Sequence, residues 1–114
     1  VDEDGNKIRT LRKDEGNRVI SKDVADRIKR FMEEVTNTGT GTEANLDLYG
    51  GTGGKTGSAE TSRSDVVHAW FGGYFPRVNP KYAVCVFVEN GQNGGRTAAP
   101  VFAEIAKEIL IKGY

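Results

Sequence analysis

The sequence predicts an α/β protein of the α+β type: a small antiparallel sheet of about three strands with an N-terminal and a C-terminal helix packed on it. Three observations predict it. Apolar residues recur at helical spacing over residues 21–36 and again over 97–112. Between them, residues 53–90 hold three strand-like runs. The connections between those runs are too short for a crossover helix, so an antiparallel meander is the simplest topology.

The elements follow in order. Residues 1–20 read as a polar, solvated lead-in, with Asp4-Gly5-Asn6 as a turn signal and only Ile8 and Leu11 as anchors; the alternatives are a short strand or hairpin, or partial disorder. Ser21 is a good N-cap for the first helix, and Asp23 in its first turn complements the helix dipole. Val24, Ile28, Phe31, Met32 and Val35 then make one apolar face, expected to pack on a core, opposite Lys22, Asp26, Lys29, Arg30 and Glu33. Thr36-Asn37-Thr38-Gly39 releases the helix. Residues 37–54 are rich in glycine and threonine, with an apolar patch at Leu46, Leu48 and Tyr49. They read as a loop leading into a strand, or equally as a low-complexity linker.

Strands are predicted over residues 54–62, 68–74 and 82–89, joined by Arg63-Ser64-Asp65 and by Pro76-Arg77-Val78-Asn79-Pro80. The third run is apolar at nearly every position and is expected to be buried on both faces. Gly72-Gly73 invites a bulge or the close approach of another backbone. Trp70 and Phe71 are expected in core and sheet packing, and His68 in a structural or surface role. Residues 90–95 read as a flexible loop. The closing helix presents Val101, Phe102, Ile105, Ala106, Ile109 and Leu110 as one stripe, with Pro100 harmless in its first turn.

Composition excludes several function classes. The 114 residues suffice for one domain, or part of one, and carry 16 basic and 16 acidic side chains, for a net charge of zero. Nothing in that balance argues for nucleic acid or an acidic membrane surface. One cysteine, Cys85, rules out an internal disulfide framework, and in its apolar run it reads as a small core residue. A single histidine builds no multi-histidine metal site, and no metal or cofactor is expected. No signal peptide or apolar run of membrane-spanning length is present. A chain that starts at Val1 reads as a piece of something longer.

The one dense cluster of glycines beside a lysine and hydroxyls is Gly53-Gly54-Lys55-Thr56-Gly57-Ser58-Ala59-Glu60. Glycines let a ligand's backbone or carboxylate come close, the lysine supplies a point charge, and the hydroxyls donate or accept. That is the chemistry of an anion-holding ledge. A phosphate-binding P-loop would need glycine at position 49, which is Tyr49, and Gly57-Ser58-Ala59-Glu60-Thr61-Ser62 makes a poor first helical turn. The remaining reading is a Lys-Thr-Gly strand motif, in which a regular strand puts Thr56, Ser58 and Glu60 on one face. Glu60 then falls near the mouth of the cleft without a catalytic role.

The neighbours extend this motif. Val19-Ile20-Ser21 precedes the helix, which is followed by Val35 and Gly39-Thr40-Gly41-Thr42. After the motif come His68-Ala69-Trp70-Phe71-Gly72-Gly73-Tyr74-Phe75-Pro76, Asn79-Pro80-Lys81-Tyr82-Ala83-Val84 and Ala99-Pro100-Val101-Phe102. In order and spacing the chain resembles the C-terminal part of the transpeptidase domain of penicillin-binding proteins, of the monofunctional class B kind.

The resemblance implies the penicillin-binding and β-lactamase-like fold and a D,D-transpeptidase parent that cross-links peptidoglycan stem peptides through a serine ester. It implies D-Ala-D-Ala stem peptides and β-lactams as ligands, and a membrane-anchored, extracytoplasmic parent. At the matching positions, Lys55 supplies positive potential for the substrate carboxylate and for proton traffic, and Thr56 and Ser58 bind that carboxylate. The Ser58 backbone N–H is an oxyanion donor, and Gly57 keeps the wall open. The family more often has threonine at the position of Ser58. Its Ser-x-x-Lys nucleophile and Ser-x-Asn motif are absent, since none of Ser21, Ser58, Ser62 and Ser64 has lysine three residues on or asparagine two on. The chain alone should therefore not form an acyl-enzyme. Its partner is the missing N-terminal part of the domain, and where that part would pack, an exposed sheet edge and apolar surface favour self-association. The alternatives are a non-catalytic domain binding peptides along a strand edge, or a β-lactamase or β-lactam-sensor relative.

Overall fold

The computed structural model describes residue 5 and residues 16–60 and 66–113. The lead-in around Ile8 and Leu11, the Arg63-Ser64-Asp65 connection and the last two residues of the first predicted strand lie outside the described residues. Among the described residues, two helices, α1 (Lys22–Asn37) and α2 (Ala99–Lys112), flank one sheet of three strands: β1 (Gly53–Glu60), β2 (Val67–Phe75) and β3 (Tyr82–Gly91). The sheet is antiparallel, in the order β1-β2-β3. The predicted α+β fold class is the observed one.

Register decides which side chains share a face. Thr56 pairs with Phe71 and Ser58 with Ala69, whereas Lys55 pairs with Gly72 and Gly57 with Trp70. Phe71 in turn pairs with Val86, and Trp70 with Phe87. Alternation therefore places Thr56, Ser58, Ala69, Phe71, Phe75 and Val86 on the inner face, and Lys55, Gly57, Trp70 and Phe87 on the outer one. The core is the inner face closed by α2. Phe102 sits 4.8 Å from Phe71 and 5.7 Å from Phe75, ring centre to ring centre, and all three are fully buried. Gly73 has room only for hydrogen there, since a Cβ would lie 2.8 Å from the Phe102 ring.

Several sequence expectations meet a correction here. β3 is buried on one face only: Tyr82, Val84, Val86 and Val88 point inward, while Ala83, Cys85 and Phe87 are exposed. An edge strand with a helix on one side has a solvent face whatever its composition, so Cys85 is an exposed free thiol and not a core residue. Phe71 is buried as expected, but Trp70 is 40% exposed and stacks on Phe87 at 4.4 Å. His68 packs edge-on against the same Phe87, and its Nδ1 accepts a hydrogen bond from the Asn90 N–H. At Gly72-Gly73 the close approach of another backbone holds, a Cβ on Gly73 lying 2.9 Å from the Gly53 carbonyl, whereas the register irregularity falls between Val67 and Ala69. In α2, Val101 and Ile105 turn outward, and Ala99, Phe102, Ala103 and Ala106 carry the buried stripe.

The helix α1 departs furthest from expectation. Ser21 caps it, its Oγ accepting from the Val24 N–H. Yet Val24, Ile28 and Phe31 remain exposed, Phe31 at 67%. The helix packs along β1 and the Thr42–Ala44 turn, and its apolar face borders a groove between Ile28, Phe31, Met32 and Val35 and the strand residues Gly54 and Lys55. A polar bolt reaches it from β2: the Tyr74 hydroxyl donates to Glu33 at 3.1 Å, beside the Lys29 carbonyl at 3.3 Å. Burial, with the Glu33 charge and this hydrogen bond, pushes the Tyr74 phenol well above its ordinary value.

Residues 37–54 are neither linker nor loose loop. Two short 3-10 turns, Thr42–Ala44 and Asp47–Tyr49, fold them against the core, with Ala44 and Thr52 fully buried, although Leu48 stays exposed. Thr52 Oγ1 donates to the Ala44 carbonyl at 2.6 Å, and Thr36 Oγ1 donates to the Thr52 carbonyl at 2.9 Å. Arg77 binds Asp47 and Asn37, both at 2.7 Å, and its backbone N–H is shared by the Gly50 and Gly51 carbonyls. Gly51 adopts φ +71, which favours glycine, and a Cβ there would lie 2.9 Å from the Arg77 guanidinium. These bonds fix where β1 begins.

Candidate substrate-binding pocket

Residues Gly39 to Thr42 and the segment after β3 converge on the inner side of β1. Asn93 starts a π-helical turn, Gly94–Ala98, where a flexible loop was expected. The Asn93 side chain accepts from the Arg96 N–H at 2.9 Å, and its carbonyl accepts from the Thr97 N–H at 3.0 Å. Glycines let this turn press onto its neighbours. A Cβ on Gly94 would meet the Trp70 carbonyl at 2.4 Å and the Gly57 backbone at 2.7 Å; one on Gly95 would meet the Thr40 carbonyl at 2.2 Å. The result is an open pocket of about 440 Å³. Thr56 and Ser58 line one wall, Thr40 and Glu43 another, and Asn93 and Arg96 close the third.

Hydroxyl chemistry dominates this pocket. Thr40 Oγ1 and Thr56 Oγ1 lie 2.7 Å apart and share one hydrogen bond, so the accepting hydroxyl keeps its own proton to donate outward. Ser58 Oγ accepts from the Gly94 N–H at 3.3 Å, which likewise leaves its O–H free as a donor. Convergent O–H donors with no buried acceptor among them suit an anionic oxygen. Glu43 and Arg96 bring one charge of each sign to the pocket, and neither has a side-chain partner among the described residues.

The four residues singled out from sequence divide between two sides of the strand. Thr56 and Ser58 face the pocket; Lys55 and Gly57 do not line it. Lys55 is exposed, its ammonium on the Thr56 carbonyl, at the edge of the apolar groove beside α1. A Cβ at Gly57 would sit 3.2 Å from Trp70 Cβ on the outer face. Glu60 is exposed at the strand end, outside the pocket lining. Sequence reasoning assigned no role to Thr40, Glu43, Asn93 or Arg96. The available signal was the alternation of glycine with hydroxyl, amide or cationic side chains in Gly39-Thr40-Gly41-Thr42 and Asn93-Gly94-Gly95-Arg96. Among the described residues, no cluster of three or more His, Cys, Asp or Glu is placed to hold a metal, and no helix is long and apolar enough to cross a membrane.

Comparison with known proteins gives this geometry a context. Residues 2–107 match the family model described as the penicillin binding protein transpeptidase domain. The chain is 39% identical over 80 residues to penicillin-binding protein 1F of Bacillus subtilis, covering 68% of this chain and 11% of that protein. It is 34% identical over 98 residues to the peptidoglycan D,D-transpeptidase MrdA of Haemophilus influenzae, covering 72% of this chain and 15% of that protein. It thus spans a small part of the relatives it matches. Among solved structures, the D,D-transpeptidase domain of a peptidoglycan glycosyltransferase from Eggerthella lenta superposes with a TM-score of 0.69 at 29% identity. That match covers 82% of this chain and 22% of the other. Pseudomonas aeruginosa PBP2, in complex with WCK 5153, gives a TM-score of 0.61 at 32% identity over 75% of this chain and 18% of that one. The chain belongs to the penicillin-binding protein transpeptidase domain family.

Proposed function

We propose that residues 1–114 form part of a single transpeptidase domain and supply one wall of its acyl-transfer site. The parent reaction is acyl transfer from a stem peptide ending in D-Ala-D-Ala, through a serine ester, to an amine on a neighbouring stem. β-Lactams acylate the same serine. Thr56 and Ser58 donate hydrogen bonds to the terminal carboxylate, the Ser58 backbone N–H serves as an oxyanion donor, and Gly57 leaves space for the acyl group. Lys55, on the other side of β1, assists proton transfer at a nucleophile carried by residues outside this sequence. Those residues would pack on the exposed apolar face of α1, at the groove of Ile28, Phe31, Met32 and Val35. The parent would act on the extracytoplasmic side of a bacterial membrane, and no metal or cofactor takes part.

The observation that carries this reading is the pairing of the Thr56 and Ser58 hydroxyls in one pocket on a strand at the sheet edge. An extended peptide can lie along such an edge while its carboxylate reaches the hydroxyls. Intact-mass analysis after incubation with benzylpenicillin tests it, on this chain and on the longer protein that contains it. An adduct on the longer protein only, slowed by Thr56→Val, is the expected result. No adduct on either would instead favour a non-catalytic module that binds peptides along β1.

A further inference from the structure

We infer that Arg96 is the cation that receives the substrate's carboxylate in the pocket beside Thr56 and Ser58, an assignment that rests on the transpeptidase reading of that pocket. The Lys-Thr-Gly strand by itself suggests Lys55 for this role. In the structure Lys55 does not line that pocket, and its ammonium is held by the Thr56 carbonyl. Arg96 lines the same pocket as Thr40, Thr56 and Ser58, and its guanidinium has no partner among the described residues. A planar fork of N–H donors matches a carboxylate in two parallel hydrogen bonds, which a lysine point charge does not reproduce.

The backbone of Arg96 is held in place. Asn93 caps its N–H, Gly94 is buried against Gly57 and Trp70, and Gly95 abuts Thr40. The side chain therefore starts from a fixed point on the pocket wall. Glu43, on the wall shared with Thr40, gives the site a second property. Its unpaired carboxylate repels a further negative charge, so the pocket selects a ligand end with a single carboxylate over a more highly charged anion such as phosphate.

The test is a titration of the full chain, followed by amide resonances in ¹⁵N-labelled protein. The probes are an N-acylated peptide ending in D-Ala-D-Ala, the same peptide as its C-terminal amide, and inorganic phosphate. The free acid is expected to shift residues 40, 56, 58 and 93–97 and to outcompete both other probes. Arg96→Gln should weaken the acid by about 10- to 100-fold, the range for a hydrogen bond to a charged group. Arg96→Lys should retain part of the affinity, and Glu43→Gln should tighten it by roughly 2- to 5-fold. Both side chains are exposed and have no partner among the described residues, and the resonance dispersion of each variant reports its fold directly. Undiminished binding by Arg96→Gln, with binding lost in Thr56→Val, would overturn the role of Arg96 and leave the pocket's function standing. Failure of the acid to shift these residues in the unmodified chain would overturn both.

Discussion

The two helices of this chain are opposites in what their sequences promise and what they bury. α1 has the cleaner division into an apolar and a charged face, yet Val24, Ile28 and Phe31 lie open to solvent. α2 is apolar over more of its circumference, and it closes the core through Phe102, Ala103 and Ala106. The difference lies in what stands opposite. α2 faces the inward side chains of Phe71, Phe75 and Val86 on the sheet, whereas α1 lies mainly along β1, where Gly53 and Gly54 offer no side chain. Amphipathicity marks the face a helix would bury; a complementary surface decides whether it does.

The largest expected effect separates the helices directly. Phe102→Ala removes a ring held between Phe71 and Phe75 and should cost about 3–5 kcal/mol of unfolding free energy. Phe31→Ala, on the exposed face of α1, should change stability by less than about 1 kcal/mol. Urea titrations followed by circular dichroism measure both. Comparable losses would mean that α1 buries its apolar face in solution, most simply against a second copy of the chain.

This contrast also explains what the sequence disclosed. β2 and β3 were legible because their runs are apolar and their connection is short, β1 through its glycine, lysine and hydroxyl composition, and α2 because its stripe meets a real core. The exposed faces of β3 and α1 were not legible: Ala83, Cys85 and Phe87 look as apolar as Val84, Val86 and Val88, and only the missing second layer tells them apart. For the candidate site, the Lys-Thr-Gly strand stood out by composition, and alternation placed Thr56 with Ser58. The opposite walls did not stand out, because Thr40 and Arg96 come to the pocket of Thr56 and Ser58 from 16 to 40 residues away in the chain, through glycine contacts that no local pattern encodes.

Tyr74 gives a smaller and pH-dependent version of the comparison, since its hydroxyl is the polar bolt that holds α1. Its folded pKa is raised, first by burial and then by the Glu33 charge and hydrogen bond, while Arg77 opposes the shift without reversing it. The neutral phenol is therefore favoured in the folded state. Its contribution is fully present below the unfolded value of about 10 and is lost as pH rises through the higher folded value. Stability should fall above about pH 10, and Tyr74→Phe should remove this part of the alkaline loss. At neutral pH the same substitution should cost about 1 kcal/mol through the lost hydrogen bonds. An alkaline limb unchanged in Tyr74→Phe would show that the bolt to α1 contributes nothing.

The smallest effect comes from two surface ion pairs of the same spacing and opposite order. In α1 Lys22 precedes Asp26, whereas in α2 Glu108 precedes Lys112, whose ammonium lies 2.7 Å from the carboxylate. Hydrogen bonding from the lysine is the main reason each carboxyl sits below its ordinary value. A depressed carboxyl stabilises the fold above its unfolded pKa and loses that contribution as pH falls through the folded value, so both pairs should weaken below about pH 4. Order should separate them. An acidic residue four positions before its lysine pairs better on a helix than the reverse order, so the Glu108–Lys112 pair is the stronger of the two. Glu108→Gln should therefore lower the thermal midpoint at neutral pH more than Asp26→Asn, and the two variants should converge in acid. A larger loss from Asp26→Asn would mean that the Lys22 bond outweighs the effect of order, and that α1, with Val24, Ile28 and Phe31 exposed, depends on its charged face to stay helical.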